Sequence, residues 1–288
     1  MKTVIIGDSC CDLPGDFINS SQIPIVNYMY LFQGKEYFDD FGVSMSYQDF
    51  YRGVRAGEMP TTSQVNVHTI EEIFQKYIED GFSIIYVSFS SALSNTYNNG
   101  VIARDMVREK YPEAVISVID TKSASLGEGL ILRYAGEIHR QGASHEEIVS
   151  WIEEHKLRLN HWFTVEDLNH LKRGGRVSGA AAFVGSMLNI KPVLHVDNEG
   201  RLVPVTKVRG RKKSIKSLAD ILAERMIDPE NQIIGISHGD CLEDALYLKE
   251  LILEHCQVKD VIISFVGPVI GSHSGPGTLA LFFFGSER

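Results

Sequence analysis

Two short segments of this sequence concentrate hydroxyl side chains. Residues 60–64 (PTTSQ) precede a predicted helix, and residues 90–97 (SSALSNTY) join a predicted strand to its helix. Both would place hydroxyl donors beside the free N–H groups of a helix start, which is a favourable place for an anion. For each segment alone, the simpler interpretation is that Thr62 or Ser94 is an ordinary N-cap. Two such segments in one α/β domain make a shared oxyanion site an equal alternative to capping.

Two other segments contain residues that could bind a ligand. Residues 8–14 (DSCCDLP) follow a short apolar run, and Asp12 either contacts a ligand at the strand end or caps the helix after Pro14. Residues 267–277 (GPVIGSHSGPG) surround His273 with glycine and proline, which predicts a loop that closely approaches another part of the molecule. A single loop histidine is more often structural than functional, so this segment alone assigns no chemistry.

The sequence contains no recognisable catalytic or metal-binding set. The phosphate-binding patterns G-x-x-x-x-G-K-S/T and G-x-G-x-x-G and the zinc pattern H-E-x-x-H do not occur. Residues 271–275 come nearest to a hydrolase elbow, but His273 occupies the position that requires serine. No pair among the four cysteines has C-x-x-C spacing, so neither a zinc site nor a disulfide framework is indicated.

Composition and charge narrow the class of protein. The chain is 44% hydrophobic and 23% charged, which is typical of a folded globular protein. A net charge of -9 argues against a general affinity for nucleic acid or for an anionic membrane surface. The start MKTVIIGDS does not resemble a secretory signal, and no apolar run approaches the ~18 residues of a membrane span. We expect a soluble cytoplasmic protein.

The elements that must position these residues alternate between strand and helix in the first half of the chain. Residues 82–89 and 114–119 are strand-like, and residues 94–110 and 126–140 are helical. This βαβα order predicts a parallel sheet with helices on its faces. Ligands of such sheets lie beyond the carboxyl ends of the strands. An earlier apolar stretch (23–32) is also strand-like, and two further segments have helical spacing (46–56 and 68–79).

The pattern changes after about residue 160. Residues 192–196 and 201–208 flank the turn-rich residues 197–200, which predicts an antiparallel hairpin. Later segments are helical (214–225 and 242–255) or strand-like (232–237 and 261–266). We therefore expect two α/β domains, residues 1–160 with a mainly parallel sheet and residues 161–288 with a mixed sheet. The ligand would lie in the crevice between them.

Seven segments together resemble the DegV family of fatty acid-binding proteins, in the order found in that family. They are DSCCDLP, PTTSQ, SSALSNTY, the stretch from Ile119 to Gly129, LKRGGRVS, LNIKPVL and GPVIGSHSGPG. The resemblance extends from about residue 5 to about residue 280. One such motif is moderately specific, whereas seven in order do not arise by chance.

The resemblance implies a ligand, a site and a partner. A long-chain fatty acid, similar to palmitate or oleate, would lie in the crevice without any metal or cofactor. Its carboxyl group would be held by Thr62, Ser94 and His273, with Thr61 as the less favoured threonine. The protein would be the non-catalytic binding subunit of an ATP-dependent fatty acid kinase, which docks at Arg173 and Arg176. It would contact the membrane only transiently, during lipid exchange.

The apolar crevice and the polar residues should contribute differently to ligand binding. Removing a palmitate-length chain from water gains on the order of 12 kcal/mol, at ~0.8 kcal/mol per methylene. One hydrogen bond to a charged group contributes only ~1.5–3 kcal/mol. The apolar crevice should therefore set affinity, and the polar residues should set orientation. Because neither hydroxyl segment contains Lys or Arg, the carboxylate would depend on hydroxyls, backbone N–H groups and a protonated His273.

The sequence departs from the family pattern near the expected head group. Ala92 and Asn95 replace the usual glycines of the serine segment, and residues 65–67 (VNV) replace the usual Pro-Ser after PTTSQ. Two alternative functions remain open. An acyl hydrolase or transferase would use Ser94 or Ser91 with His273 and would turn over acyl esters. A lipid sensor or storage protein would bind fatty acid without a kinase partner.

Overall fold

A computed structural model describes residues 2–177 and 189–288 of the chain. In chain order the strands are β1 (Lys2–Asp8), β2 (Ile25–Val26), β3 (Met29–Phe32), β4 (Lys35–Phe38), β5 (Thr61–Ser63), β6 (Phe82–Ser88), β7 (Ile116–Asp120), β8 (Leu159–Thr164), β9 (Ile190–Val196), β10 (Leu202–Arg209), β11 (Ile233–His238), β12 (Asp260–Phe265) and β13 (Leu279–Phe284). The helices are α1 (Gly15–Ser21), α2 (Tyr47–Arg55), α3 (Val67–Glu79), α4 (Thr96–Lys110), α5 (Leu126–Arg140), α6 (His145–His155), α7 (Asn169–Arg173), α8 (Arg211–Arg225), α9 (Leu242–His255) and α10 (Pro268–Ser274). Of the sequence motifs, Ser178 of LKRGGRVS and Leu188 of LNIKPVL lie outside the described residues.

The first sheet is parallel and has the strand order β2-β1-β6-β7. Ile5 of β1 pairs with Ile85 of β6, and Tyr86 of β6 pairs with Val118 of β7. The central strand β6 is buried along almost its whole length, as expected for a parallel strand that helices cover on both faces. The βαβα unit predicted from residues 82–140 is confirmed as β6, α4, β7 and α5.

The second sheet is mixed and has the strand order β10-β9-β8-β13-β11-β12. Only β11 and β12 run parallel, and the remaining neighbours are antiparallel. The hairpin predicted around residues 197–200 is confirmed, because Asp197 Oδ1 accepts hydrogen bonds from the N–H groups of Glu199 and Arg201 and so closes the turn between β9 and β10. The expected α/β fold with one parallel and one mixed sheet is confirmed.

The central strands β8, β13 and β11 of the mixed sheet are buried on both faces. Trp162, Leu281 and Phe283 point to one side, where they pack against the apolar faces of α8 and α9. Phe163 and Phe282 point to the other side and belong to the larger core, which continues to the parallel sheet. Side chains of successive strand residues alternate between the faces, so one strand supplies both cores. Since the larger core spans both sheets, the division at residue 160 stays a prediction.

A third, small antiparallel sheet with the order β4-β3-β5 differs from the sequence prediction. Residues 23–32 were expected to form one strand-like stretch, but they divide into β2, which joins the parallel sheet, and β3, which begins the small sheet. Gln33 and Gly34 both have positive φ (51° and 74°), as a tight turn between β3 and β4 requires. The threonine segment, expected as a loop before a helix, pairs with β3 as β5.

The glycine-rich segment around His273 is another correction. We expected a loop at residues 267–277, whereas residues 268–274 form the short helix α10. Gly267 is its N-cap and Pro268 its first residue, a position that suits the fixed φ of proline and its missing N–H. Gly275, with φ of 78°, ends the helix. The helix therefore gives His273 a fixed position in the fold.

The start of α5 generates a stability prediction. A Cβ atom on Gly127 would lie 1.9 Å from Nε2 of His161, so the buried imidazole ring would have to be displaced. Gly127→Ala should lower the free energy of unfolding by about 1–3 kcal/mol, the usual effect of overpacking. Gly136→Ala, on the same helix, is the control. The atom nearest to a Cβ added at Gly136 would be Ile23 Cδ1 at 3.8 Å. Alanine there should stabilise the helix by up to ~1 kcal/mol. Equal urea denaturation midpoints for the two variants would contradict the packing described.

Candidate ligand-binding site

A cavity of about 270 Å³ lies between the end of the parallel sheet and the inner face of the mixed sheet. Its size is near the lower end of the range for small-molecule pockets. Its apolar wall includes Phe89, Leu93, Phe163, Val196, Leu202 and Phe282. The cavity therefore suits an apolar ligand more than a polar one.

Strand alternation produces the apolar wall of the cavity. Within β8 and β13, Phe163 pairs with Ala280 and His161 pairs with Phe282, and all four line the cavity. The residues between them face the second core. The hydrophobic pattern of β8 and β13 alone indicates two buried strands, and it gives no signal that one of their faces borders a cavity.

The structure brings Thr62, Ser94 and His273 to the same cavity. Thr62 Oγ1 lies 2.8 Å from His273 Nε2, which is a hydrogen bond. Ser94 Oγ lies 3.0 Å from Thr96 Oγ1 and accepts a hydrogen bond from the Tyr28 hydroxyl at 3.3 Å. Three segments that are far apart in the sequence thus place hydroxyls and an imidazole on the wall of one largely apolar cavity.

Backbone pairing decides which threonine reaches the cavity. Thr62 pairs with Tyr30 of β3, and its side chain faces inward. Thr61 is the next residue along β5, so it points to the opposite, exposed face of the small sheet. Of the two threonines named from the sequence, Thr62 is the one that lines the cavity.

The simple capping interpretation is wrong for Thr62. Asn66 is the N-cap of α3 and accepts a hydrogen bond from the Thr69 N–H at 3.0 Å. The N-cap position of α4 is Asn95, one residue after Ser94. Ser94 Oγ accepts from the first helical N–H of α4 only at 3.3 Å. The N-cap positions of α3 and α4 are therefore Asn66 and Asn95, two residues that depart from the family pattern.

Asp12 does not cap the helix after Pro14, because Pro14 itself is the N-cap of α1. The Asp12 carboxylate is buried and accepts hydrogen bonds from the Ser125 hydroxyl and the Gly267 N–H. These partners are more than a hundred residues away in the sequence, and no local pattern around Asp12 predicts them. Asp12 thus belongs to the protein interior behind the cavity.

The surroundings of His273 favour the neutral ring, whereas the sequence led us to expect a protonated one. Burial, reinforced by the positive charge of Arg176, lowers the pKa of His273 from its ordinary value to about 4. Its Nε2 contacts Thr62 rather than Ser94 or Ser91, so the Ser–His pair that the hydrolase alternative requires at this cavity is not formed. The hydrolase alternative therefore has no support in this geometry.

The two arginines named from the sequence lie in different environments. Arg176 lines the cavity, donating from Nε to the Leu93 carbonyl at 3.2 Å and from Nη1 to the Gly174 carbonyl at 2.6 Å. Both arginines are exposed, but Arg173 lies outside the cavity lining, with Nη2 3.0 Å from Nδ1 of His170. The sequence named Arg176 for docking and gave no sign that it lines the cavity, because its segment is distant from both hydroxyl segments.

Comparison with known proteins identifies the family. A model of the DegV family, described as uncharacterised proteins, matches residues 2–286. A DegV domain-containing protein of Clostridium perfringens is 47% identical over 287 residues, which cover 100% of this chain and 99% of the relative. The chain belongs to the DegV family.

Solved structures of DegV proteins share this fold. One from Thermotoga maritima, described as revealing a fatty acid binding function, is 30% identical with a TM-score of 0.85, covering 99% of each chain. A DegV protein of Ruminococcus gnavus with vaccenic acid is 25% identical with a TM-score of 0.86, covering 97% of this chain and 99% of that chain. Long-chain fatty acids are thus ligands of DegV proteins with this architecture.

Two features are absent from residues 2–177 and 189–288. No helix there is both long and apolar enough to cross a membrane. No group of three or more His, Cys, Asp or Glu side chains within those ranges is arranged to hold a metal ion.

The neutral state of His273 can be tested by NMR titration of its imidazole resonances. We expect a midpoint near pH 4 in the wild-type protein. Arg176→Gln should raise this midpoint, because it removes a positive charge that disfavours the imidazolium ion. Arg173→Gln is the matched control, since Arg173 contacts His170 instead, and it should leave the midpoint unchanged. A wild-type midpoint near the ordinary histidine value would contradict the burial of the ring.

Proposed function

We propose that this chain binds a long-chain fatty acid in the cavity and presents the carboxyl group to a fatty acid kinase. The observation that carries the proposal is a largely apolar cavity whose lining includes the hydrogen-bonded pair of Thr62 and His273 together with Ser94. Fatty acid binding by related DegV proteins supports the same ligand class. The ligand needs no metal or other cofactor.

The acyl chain supplies affinity and the polar end supplies orientation. Each buried methylene contributes ~0.8 kcal/mol, so a long chain outweighs any single polar contact. A neutral His273 that donates its Nε2–H to Thr62 Oγ1 leaves the Thr62 hydroxyl free to donate to the carboxylate. Ser94 supplies a second hydroxyl, and Arg176 adds a positive charge at this end of the cavity.

This arrangement suits a carboxylate that must react while it is bound. Neutral hydroxyl donors orient the group without the two-point clamp that an Arg–carboxylate pair would form. In the proposed reaction a carboxylate oxygen attacks the γ-phosphorus of ATP held by the kinase, the bond to the β-phosphate oxygen breaks, and ADP leaves. The product is an acyl phosphate that stays in the cavity. Arg173, which is exposed near this end, and Arg176 are the residues that we assign to kinase docking.

We place this activity in the cytoplasm, with brief membrane contact when the ligand is exchanged. Four free cysteines, of which Cys10 and Cys11 are buried, agree with a reducing compartment. We also divide the chain at residue 160, so that the carboxyl site draws Thr62 and Ser94 from the first domain and His273 from the second. The proposed ligand then bridges both domains.

Native mass spectrometry of the protein purified from a bacterial host tests the ligand. We expect a stoichiometric adduct with the mass of a long-chain fatty acid. Ser94→Ala should weaken its retention without unfolding the protein, because it removes one carboxyl donor. Ser91→Ala is the matched control, since Ser91 contacts Lys122 and lies outside the cavity lining. An empty wild-type protein that also fails to take up added palmitate or oleate would refute the ligand assignment.

The kinase assignment is tested with a DegV-associated fatty acid kinase, ATP and the loaded protein. Arg173→Ala should retain the fatty acid and lose most of the acyl phosphate formation, because the side chain is exposed and lies outside the cavity lining. Arg55→Ala removes another exposed arginine, distant from Arg173 in the sequence, and should support normal acyl phosphate formation by the kinase. Loss of bound lipid in Arg173→Ala would contradict docking. A wild-type protein that binds lipid but supports no phosphorylation would favour a sensor or storage function.

A further inference from the structure

Asp12 is a buried carboxylate that the proposed function leaves unused. Only 2% of the residue is exposed. Its Oδ1 accepts a hydrogen bond from the Gly267 N–H at 2.9 Å, and its Oδ2 accepts one from the Ser125 hydroxyl at 2.5 Å. Ser125 Oγ also lies 2.8 Å from Ser237 Oγ, and both serines line the cavity. Asp12 is therefore connected to α10, to the start of α5 and to β11.

A second buried carboxylate supports the same end of α10. Asp39 Oδ2 accepts a hydrogen bond from the Val269 N–H at 3.3 Å. Because Gly267 is the N-cap of α10 and Val269 lies in its first turn, both carboxylates accept hydrogen bonds from N–H groups at the start of the helix. The other end of this helix presents His273 to Thr62. The position of the imidazole thus depends on how firmly the start of the helix is held.

The surroundings of Asp12 are acidic. The titratable groups that interact with it from neighbouring elements are Asp8, Cys10 and Cys11 at the end of β1, Asp39 after β4, Tyr47 and Tyr51 on α2, and Glu128 on α5. None of the ion pairs within residues 2–177 and 189–288 includes any of these carboxyl groups. Burial raises the pKa of Asp12 to about 7, opposed by the hydrogen bonds from Ser125 and Gly267. The carboxylate therefore changes charge near neutral pH.

We propose that Asp12 is a positioning residue for the acyl carboxyl site, whose charged form holds α10 so that His273 meets Thr62. This inference concerns the carboxyl site and so rests on the proposed function. A charge-assisted hydrogen bond is roughly twice as strong as a neutral one, so the ionised carboxylate holds the Gly267 N–H and the Ser125 hydroxyl more firmly. Protonation of Asp12 loosens α10 and speeds release of the ligand.

Two pH dependences of opposite sign separate this role from a purely structural one. The pKa of Asp12 is about 7 in the folded protein, against an ordinary value of 3.8. The folded state thus binds the proton more tightly than the unfolded chain, and the contribution of Asp12 lowers stability as the pH rises through this range. Ligand retention should instead increase as the pH rises through this range, because the ionised form of Asp12 holds α10. A structural role alone would make retention follow stability.

The experiment measures the palmitate dissociation rate and the His273 imidazole resonances as functions of pH. In the wild type we expect the rate to rise about tenfold as Asp12 is protonated. The imidazole resonances should shift near pH 7, far above the ring's own pKa of about 4. Asp12→Asn keeps an oxygen for the Gly267 N–H but cannot ionise, so both dependences should disappear. Asp40→Asn is the matched control, because Asp40 accepts only from the N–H groups of Val43 and Ser44.

A folded Asp12→Asn variant that keeps both pH dependences would overturn the proposal. If that variant does not fold, Ser125→Ala decides the question. Loss of the Ser125 hydroxyl removes a bond that lowers the pKa of Asp12, so the midpoint of both profiles should move to higher pH, and an unchanged midpoint overturns the proposal. If the wild type takes up no fatty acid, the proposed function fails instead. The His273 resonances still test Asp12 in that case, because they require no ligand.

Discussion

The burial of both faces of the mixed sheet is the constraint on which the rest of this molecule depends. One face of its central strands packs against α8 and α9, and the other meets the end of the parallel sheet with a space left between them. Apolar surface that faces an incompletely filled space loses contacts and favours a ligand of matching shape. The cavity is therefore a consequence of how two well-formed sheets meet.

Burying polar groups beside such a space costs free energy unless each forms a hydrogen bond. Thr62 and His273 satisfy one another, and Ser94 is held by Tyr28 and Thr96. Since the imidazole is neutral, the site avoids a buried ion pair, whose desolvation often exceeds its attraction. A carboxylate that enters replaces or extends existing hydrogen bonds, and Arg176 is the one Lys or Arg among the described residues that line the cavity.

The sequence predicted the regular elements better than the site. The βαβα unit that ends with α5 was clear, because its apolar residues recur with helical or strand spacing. The three-residue strand β5 and the seven-residue helix α10 are too short to show a hydrophobic period. Their glycine and hydroxyl residues are also more typical of loops than of regular elements. Thr62, Ser94 and His273 were named through a family resemblance. Their contact could not come from local pattern, because Thr62 and His273 are 211 positions apart. The charge of His273 depends on burial, which only the folded structure defines.

The alternation of β8 also limits how this protein can change during evolution. Leu159, His161 and Phe163 face one side of the mixed sheet, and the residues between them face the other. An insertion or deletion of one residue in this strand would exchange the two sets and ruin both cores at once. Changes in the length or shape of the accepted ligand must therefore arise by substitution at these alternate positions, while changes of chain length are confined to the surface connections.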